Sequence, residues 1–206
     1  MHLLITAGGT REYIDPVRFI TNASTGKMGY AIANAALAHG HKVTLITATV
    51  NLTPPPKAEI INVITSEDMF NAVKKYFPTC DCLVMAAAVS DYTPEKTFAE
   101  KLKKQTNTFT LNLKPTADIL KWAAENKTSQ FLAGFALEDK DILSNAEKKM
   151  QEKNLDMIIA NDPAAIGADE SSLYIKLTGS QWRQTEKISK QASAEEIISI
   201  IEKAKS

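Results

Sequence analysis

Three stretches of the sequence group residue types that could hold anions or nucleotides. The first is Asn22-Ala23-Ser24-Thr25-Gly26-Lys27-Met28-Gly29, which follows the tight loop Gly8-Gly9-Thr10 and a polar run. Gly, Ser and Thr let backbone amides approach an anion, and a helix start favours negative charge. The segment fits a phosphate seat or an ordinary helix start. The second is Ala86-Ala87-Ala88-Val89-Ser90-Asp91-Tyr92. Its alanines leave room for a flat group against the backbone. Asp91 could accept from a ribose hydroxyl, help to hold a metal, or cap the loop. The third is Glu100-Lys101-Leu102-Lys103-Lys104. In an extended chain Lys101 and Lys103 share one side. Two cations there suit a triphosphate, or its departing pyrophosphate, because charge builds as that bond breaks. A solvated charge run is the plainer reading, and the same holds for Lys148, Lys149 and Lys153.

Other chemistries find less footing. Gly8-Gly9-Thr10 lacks the spacing of a dinucleotide fingerprint, and Gly26-Lys27-Met28 lacks the earlier glycine and the Ser/Thr of a P-loop. The histidines are His2, His39 and His41, and no His/Asp/Glu group has zinc-ligand spacing, so no metal ligand is assigned. Cys80 and Cys82 stand as C-x-C before an apolar run, which reads as two buried, reduced thiols in a cytoplasmic protein.

The elements that must carry these loops follow from periodicity. Leu3 to Ala7, Lys42 to Ala48 and Ile60 to Ile64 read as strands. Cys82 to Ala88 is an almost unbroken apolar run, the mark of a strand buried on both faces. Thr108 to Leu113, Gln130 to Ala136 and Met157 to Ala160 complete the series. Helices are expected from Tyr30 to Ala38 (opened by Gly26-Lys27-Met28-Gly29 and closed by Gly40), from Ser66 to about Tyr76 with Ser66 as cap, from Ala117 to Asn126, and from Asp141 to Glu152. Leu173 to Leu177 and Trp182 to Ile188 flank Gly179-Ser180 as a hairpin. Ser193-x-x-Glu196 matches a capping box before a last helix. Strands alternating with helices predict one α/β domain over residues 1–206. It is a doubly wound, mostly parallel, Rossmann-like sheet with helices on both faces and an added antiparallel hairpin. Residues 91–113 form a candidate flap over the sheet edge. In such sheets ligands bind beyond the carboxyl ends of the strands. With 24 basic and 24 acidic residues in 206, nothing implies a nucleic-acid partner. No apolar run reaches the ~18 residues of a membrane span. The amino terminus reads as a strand, not a signal peptide.

Taken in order, these segments resemble one family. Gly8-Gly9-Thr10-Arg11-Glu12, Asp15-Pro16-Val17-Arg18, Ile20-Thr21-Asn22, Ser24 to Gly29, Ala86 to Tyr92, Lys101 to Lys104, Gly134-Phe135-Ala136 and Asn154 to Asp162 look like phosphopantothenoylcysteine synthetase in its stand-alone bacterial form. The resemblance implies a ligase that condenses 4'-phosphopantothenate with L-cysteine through an acyl-cytidylate, with CTP as co-substrate, Mg²⁺ and a homodimer. It implies that Asn22 holds the acyl-nucleotide and that Lys101 stabilises charge in the first half-reaction. It also implies that Ala86, Ala87, Asp91, Ala117, Asp118, Ile119, Leu120, Phe135, Lys149 and Lys153 contact the nucleotide. Gly8, Gly9, Thr10, Ser24, Thr25, Gly26 and Lys27 are the expected phosphate or substrate loop. The chain departs from the family pattern at Lys114-Pro115-Thr116-Ala117-Asp118, where Asn-Pro-Asp is usual, and at Leu137, where a small residue is usual. A dinucleotide-dependent oxidoreductase shares the sheet class, but Thr47 and Thr49 stand where its ribose-binding acid belongs. A non-catalytic domain on the same fold would be expected to have lost Asn22 or Lys101.

Overall fold

The computed structural model describes residues 1–104 and 108–206. The chain opens with β1 (His2–Ala7), the hairpin β2 (Arg11–Tyr13) and β3 (Phe19–Thr21), and then α1 (Lys27–Ala38). β4 (Lys42–Thr47), β5 (Glu59–Asn62), α2 (Ser66–Tyr76) and β6 (Cys82–Met85) follow. β7 (Tyr92–Pro94) pairs antiparallel with β8 (Leu113–Pro115), outside the main sheet. Next come α3 (Ile119–Asn126), β9 (Phe131–Leu137), α4 (Ile142–Glu152) and β10 (Met157–Asn161). The last elements are β11 (Glu170–Ser171), β12 (Tyr174–Leu177), β13 (Arg183–Gln184), β14 (Ile188–Ser189) and α5 (Lys190–Lys205).

The main sheet has eight strands in the order β13-β12-β10-β9-β6-β1-β4-β5. The six strands from β10 to β5 are parallel, and β12 and β13 run antiparallel at the other end. This is the expected mostly parallel α/β sheet with an added hairpin. The chain leaves β1 toward β4 and β5, then returns through β6 toward β9 and β10. Strand order therefore reverses between β1 and β6, and the loops after these strands part to leave a crevice. Two apolar layers clamp the sheet. One joins Leu3 and Ile5 to Ala33 and Ala36 of α1 and to Ile197 and Ile201 of α5. The other joins Leu4 and Leu83 to Met69 and Val73 of α2, Ala123 of α3 and Met150 of α4. The alanines let α1 lie close, and Gly29 is where it comes closest: a Cβ there would stand 2.6 Å from the Ala7 Cβ. Every residue of β6 is buried, as its unbroken apolar run requires.

Several local expectations are corrected. The polar run after Gly9 carries a hairpin that no sequence signal announced, in which Arg11 pairs with Thr21 and Tyr13 with Phe19. The strand expected at Thr108 to Leu113 begins only at Leu113. The α2 cap is Thr65, one residue before Ser66, with a reciprocal capping box to Asp68. Asp118 caps α3, so Ala117 lies before the helix. Ser193 is not a cap: Ser189 caps α5 four residues earlier and Ser193 is buried inside it. Trp182 to Ile188 splits, with Arg183 and Gln184 on β12 while Ile188 and Ser189 pair with β11. The described part of the 91–113 arm rises from the middle of the sheet after β6 and leans on the β2–β3 hairpin, where Phe98 donates its N–H to Ile14 at 2.9 Å. Residues 105–107 of that arm lie outside the described residues. Cys80 and Cys82 are buried free thiols, and burial pushes the Cys80 thiol up to about 12. Among the described residues no helix is long and apolar enough to cross a membrane.

Candidate functional site

A cleft of about 680 Å³ lies over the carboxyl ends of β6, β9 and β10, beside the entry to α1. Its first wall is the entry to α1, with Asn22, Ser24, Thr25, Gly26 and Lys27. Gly26 closes this loop at φ +76°, and a Cβ there would meet the Val50 side chain at 2.7 Å. The helix has no side-chain cap and no acidic residue in its first turn. Its first internal bond runs from the Tyr30 N–H to the Gly26 carbonyl at 3.2 Å. The amides of Lys27, Met28 and Gly29 therefore have no carbonyl partner within the helix, which favours an anion at this end.

The floor is the loop after β6. Ala86, Ala87 and Asp91 line it, as expected, with Val89 beside them. Asn22 binds this floor to the first wall: its amide nitrogen donates to the Ala88 carbonyl at 3.2 Å and to the Val89 carbonyl at 3.3 Å. Thr6 Oγ1 accepts from the Ala87 N–H at 3.1 Å, and Thr116 Oγ1 donates to the Ser90 carbonyl at 2.6 Å. Gly8, Gly9 and Thr10 do not line the cleft. They sit beneath it as its frame. A Cβ on Gly9 would lie 2.9 Å from the Asn22 carbonyl oxygen, and the buried Thr10 hydroxyl accepts from the Ser90 N–H at 3.0 Å.

The second wall is the start of α3 and the flank of α4, with Ala117, Asp118, Ile119, Leu120, Phe135, Lys149 and Lys153. Asp118 accepts from the Lys121 N–H at 3.0 Å and pairs with Lys153 at 3.0 Å. Burial works to raise the Asp118 carboxyl, but these two partners outweigh it and hold the group below the ordinary range. Lys149 donates to the Phe135 carbonyl at 2.7 Å. Burial pushes its ammonium down, Lys153 adds to this, and Glu138, Asp91 and Asp118 oppose both.

Lys101 is not among the residues lining the cleft; it is exposed on the arm. The cleft also takes in residues to which the sequence assigned no role: Thr116, Glu138, Asn161, Ile166, Gly167 and Lys190. Asn161 ends β10, so the rule of strand carboxyl ends could have found it. Lys190 carries no local signal. It opens α5, and only the packing of α5 along α1 brings it here. Among the described residues no group of three or more His, Cys, Asp or Glu could hold a metal ion. Asp91, Asp118 and Glu138 line the cleft, but Asp118 is committed to Lys153.

Sheet order, switch-point cleft and loop chemistry define a doubly wound α/β domain with its ligand site beyond the strand ends. The chain belongs to the family described as the DNA/pantothenate metabolism flavoprotein C-terminal domain, whose model matches residues 1–204. It is 52% identical over 168 residues to the coenzyme A biosynthesis bifunctional protein CoaBC of Bacillus subtilis (strain 168), covering 81% of this chain and 41% of that protein. The chain thus spans less than half the length of this relative. Among solved structures, the C-terminal domain of a coenzyme A biosynthesis bifunctional protein CoaBC matches with a TM-score of 0.86 and 37% identity. That match covers 98% of this chain and 94% of the other. A Cab2 mutant in complex with phosphopantothenate-cysteine shares the fold, with a TM-score of 0.81 at 20% identity over 98% of this chain and 86% of that one.

Proposed function

We propose that the chain condenses 4'-phosphopantothenate with L-cysteine at the expense of CTP, in coenzyme A biosynthesis in the cytoplasm. Family membership supports the reaction class. The observation that carries the site assignment is Asn22, held on the Ala88 and Val89 carbonyls where the first wall of the cleft meets its floor.

In the first half-reaction a carboxylate oxygen of the acid attacks the α-phosphorus of CTP. The bond to the bridging oxygen breaks and pyrophosphate leaves. The nucleotide's base end belongs at Phe135, Asp118 and Lys153, where a flat group can lie beside a fixed ion pair. Lys149, about one turn earlier on α4, has its ammonium held by the Phe135 carbonyl. Anionic groups belong at the α1 entry, where Ser24, Thr25 and the free amides supply donors without needing a proton shift. Lys101 brings positive charge to the departing pyrophosphate from its exposed place on the arm.

In the second half-reaction the cysteine amine attacks the acyl carbon, loses a proton, and CMP leaves. Asn22 holds the mixed anhydride by donating to its acyl and phosphate oxygens. Its amide nitrogen now donates to two backbone carbonyls, at 3.2 and 3.3 Å. Those bonds are long, so a turn about the terminal torsion exchanges them for ligand oxygens at small cost.

The carboxylates present fit Mg²⁺ held chiefly by the triphosphate's own oxygens, where the ion would offset phosphate charge. A homodimer is part of the proposal. Val17 (58% exposed), Phe19 (37%), Tyr92 (55%) and Leu113 (44%) stand on the two small ribbons outside the main sheet. A second copy covering them would bury this apolar surface. The test is pyrophosphate release with 4'-phosphopantothenate, cysteine, Mg²⁺ and either CTP or ATP. Release with CTP is expected; no release with either nucleotide overturns the proposal, and release with ATP alone overturns the choice of nucleotide.

A further inference from the structure

The Asp15 carboxylate is fully buried, yet it belongs to the turn of a small hairpin outside the core. Two of its bonds are local: Oδ1 accepts the N–H groups of Val17 and Arg18, each at 2.9 Å. Those alone would account for a turn-forming aspartate. The remaining bonds are not local. Oδ2 pairs with the Arg18 guanidinium and also accepts the N–H of Leu102 at 3.1 Å, eighty-seven residues further on. The same guanidinium donates to the Leu102 carbonyl at 2.7 Å. Carboxylate and guanidinium together grip both polar groups of one peptide residue, as a neighbouring strand would. Leu102 is the residue between Lys101 and Lys103. The grip also extends along the arm, since Thr97 donates to the Tyr13 carbonyl at 3.3 Å and Phe98 to that of Ile14 at 2.9 Å.

The hairpin is itself fixed to the body. Arg11 donates its N–H to Ile64 at 2.8 Å, and the buried Glu12 accepts the Ser66 N–H at 2.9 Å at the start of α2. A continuous set of hydrogen bonds thus leads from the sheet through the hairpin to the lysine arm.

We propose that Asp15 and Arg18 are positioning residues: they clamp the Leu102 backbone and so set where Lys101 stands. This rests on the reading of Lys101 given above. Burial works against the Asp15 charge, but Arg18 and the three N–H donors outweigh it and keep the carboxyl well below the ordinary range. The clamp is therefore charged at any pH at which the protein would work. The amide of Asp15→Asn cannot accept from all these donors and also pair with a guanidinium.

The test uses four proteins: the unaltered chain, Asp15→Asn, Lys101→Gln and the double variant. Two readouts are taken, the rate of acyl-nucleotide formation and amide hydrogen exchange. In Asp15→Asn the Leu102 amide should exchange at least about tenfold faster, with the amides of β1 and β4 unchanged. Acyl-nucleotide formation should slow by about tenfold or more. Because Asp15 acts through Lys101, the double variant should be no slower than Lys101→Gln alone. Multiplied losses in the double variant overturn the proposal, because they show a general structural role. An unchanged Leu102 amide or an unchanged rate in Asp15→Asn also overturns it. If Asp15→Asn loses protection in β1 and β4 as well, Arg18→Lys, which keeps the charge but not the second donor arm, is judged by the same readouts. Full activity of Lys101→Gln would instead overturn the role of Lys101, and the purpose of the clamp with it.

Discussion

At the scale of single residues, neutral hydrogen bonding and charge divide the proposed chemistry between Asn22 and the lysines. An amide can hold an acyl-phosphate without competing for the cysteine proton, whereas a carboxylate at the same place would repel phosphate oxygens. Asn22→Asp is therefore expected to slow the second half-reaction more than the first. Acyl-cytidylate should accumulate to a stoichiometric fraction of enzyme, detectable by mass spectrometry after acid quench. Overall turnover should fall by a hundredfold or more, roughly the loss of one key oxyanion donor. Wild-type turnover in this variant would remove Asn22 from the mechanism. Asn22 was legible in the sequence because it stands in an ordered set of motifs. The partners of its amide were not, because Ala88 and Val89 offer only backbone carbonyls, which any residue would supply.

At the scale of elements, α1 has to satisfy two demands: its first turn faces the cleft and its body presses on β1. Gly29 meets the second. A Cβ there would lie 2.6 Å from the Ala7 Cβ and 2.9 Å from the Thr6 carbonyl oxygen. Gly29→Ala should thus lose stability by about 1–3 kcal/mol, the usual cost of overpacking, although alanine is the better helix former. A raised melting midpoint would show that α1 moves aside freely. The other end of α1 meets α5 through His39, which pairs with Glu195 at 2.8 Å and Glu202 at 3.2 Å, while His41 pairs with Glu202 at 2.8 Å. The Glu195 and Glu202 hydrogen bonds raise the His39 imidazole against the opposing effect of burial. A group raised on folding stabilises fully below its unfolded pKa, about 6.5. That contribution fades as pH climbs through the higher folded value. The melting midpoint of His39→Gln should therefore fall short of the parent's at pH 5.5 and approach it by pH 8.5. A gap that widens with pH would contradict this assignment.

At the scale of the whole molecule, the sheet and its site obey one rule: strand order reverses between β1 and β6, and the cleft opens there. Self-association would use the other outgrowths, the two ribbons that carry Val17, Phe19, Tyr92 and Leu113. Tyr92→Lys, placed directly on that surface, should shift the protein from dimer to monomer in sedimentation at micromolar concentration. A protein that is monomeric without the substitution, or stays dimeric with it, contradicts this interface. What the amino-acid sequence determined alone is the local pattern. Unbroken apolar runs imply buried parallel strands, small residues imply a closely laid helix, and grouped Gly, Ser and Thr imply an anion-friendly loop. Those signals are short-ranged and survive any packing. Tertiary structure decided what lies far apart in the chain but close in space. It put Gly8, Gly9 and Thr10 under the cleft as a frame, because the strand they end is roofed by the Asn22 loop. It brought Lys190 to the cleft through the packing of α5 on α1. It also joined Asp15 and Arg18 to Leu102, a contact spanning more than eighty residues, which no periodicity or spacing can encode.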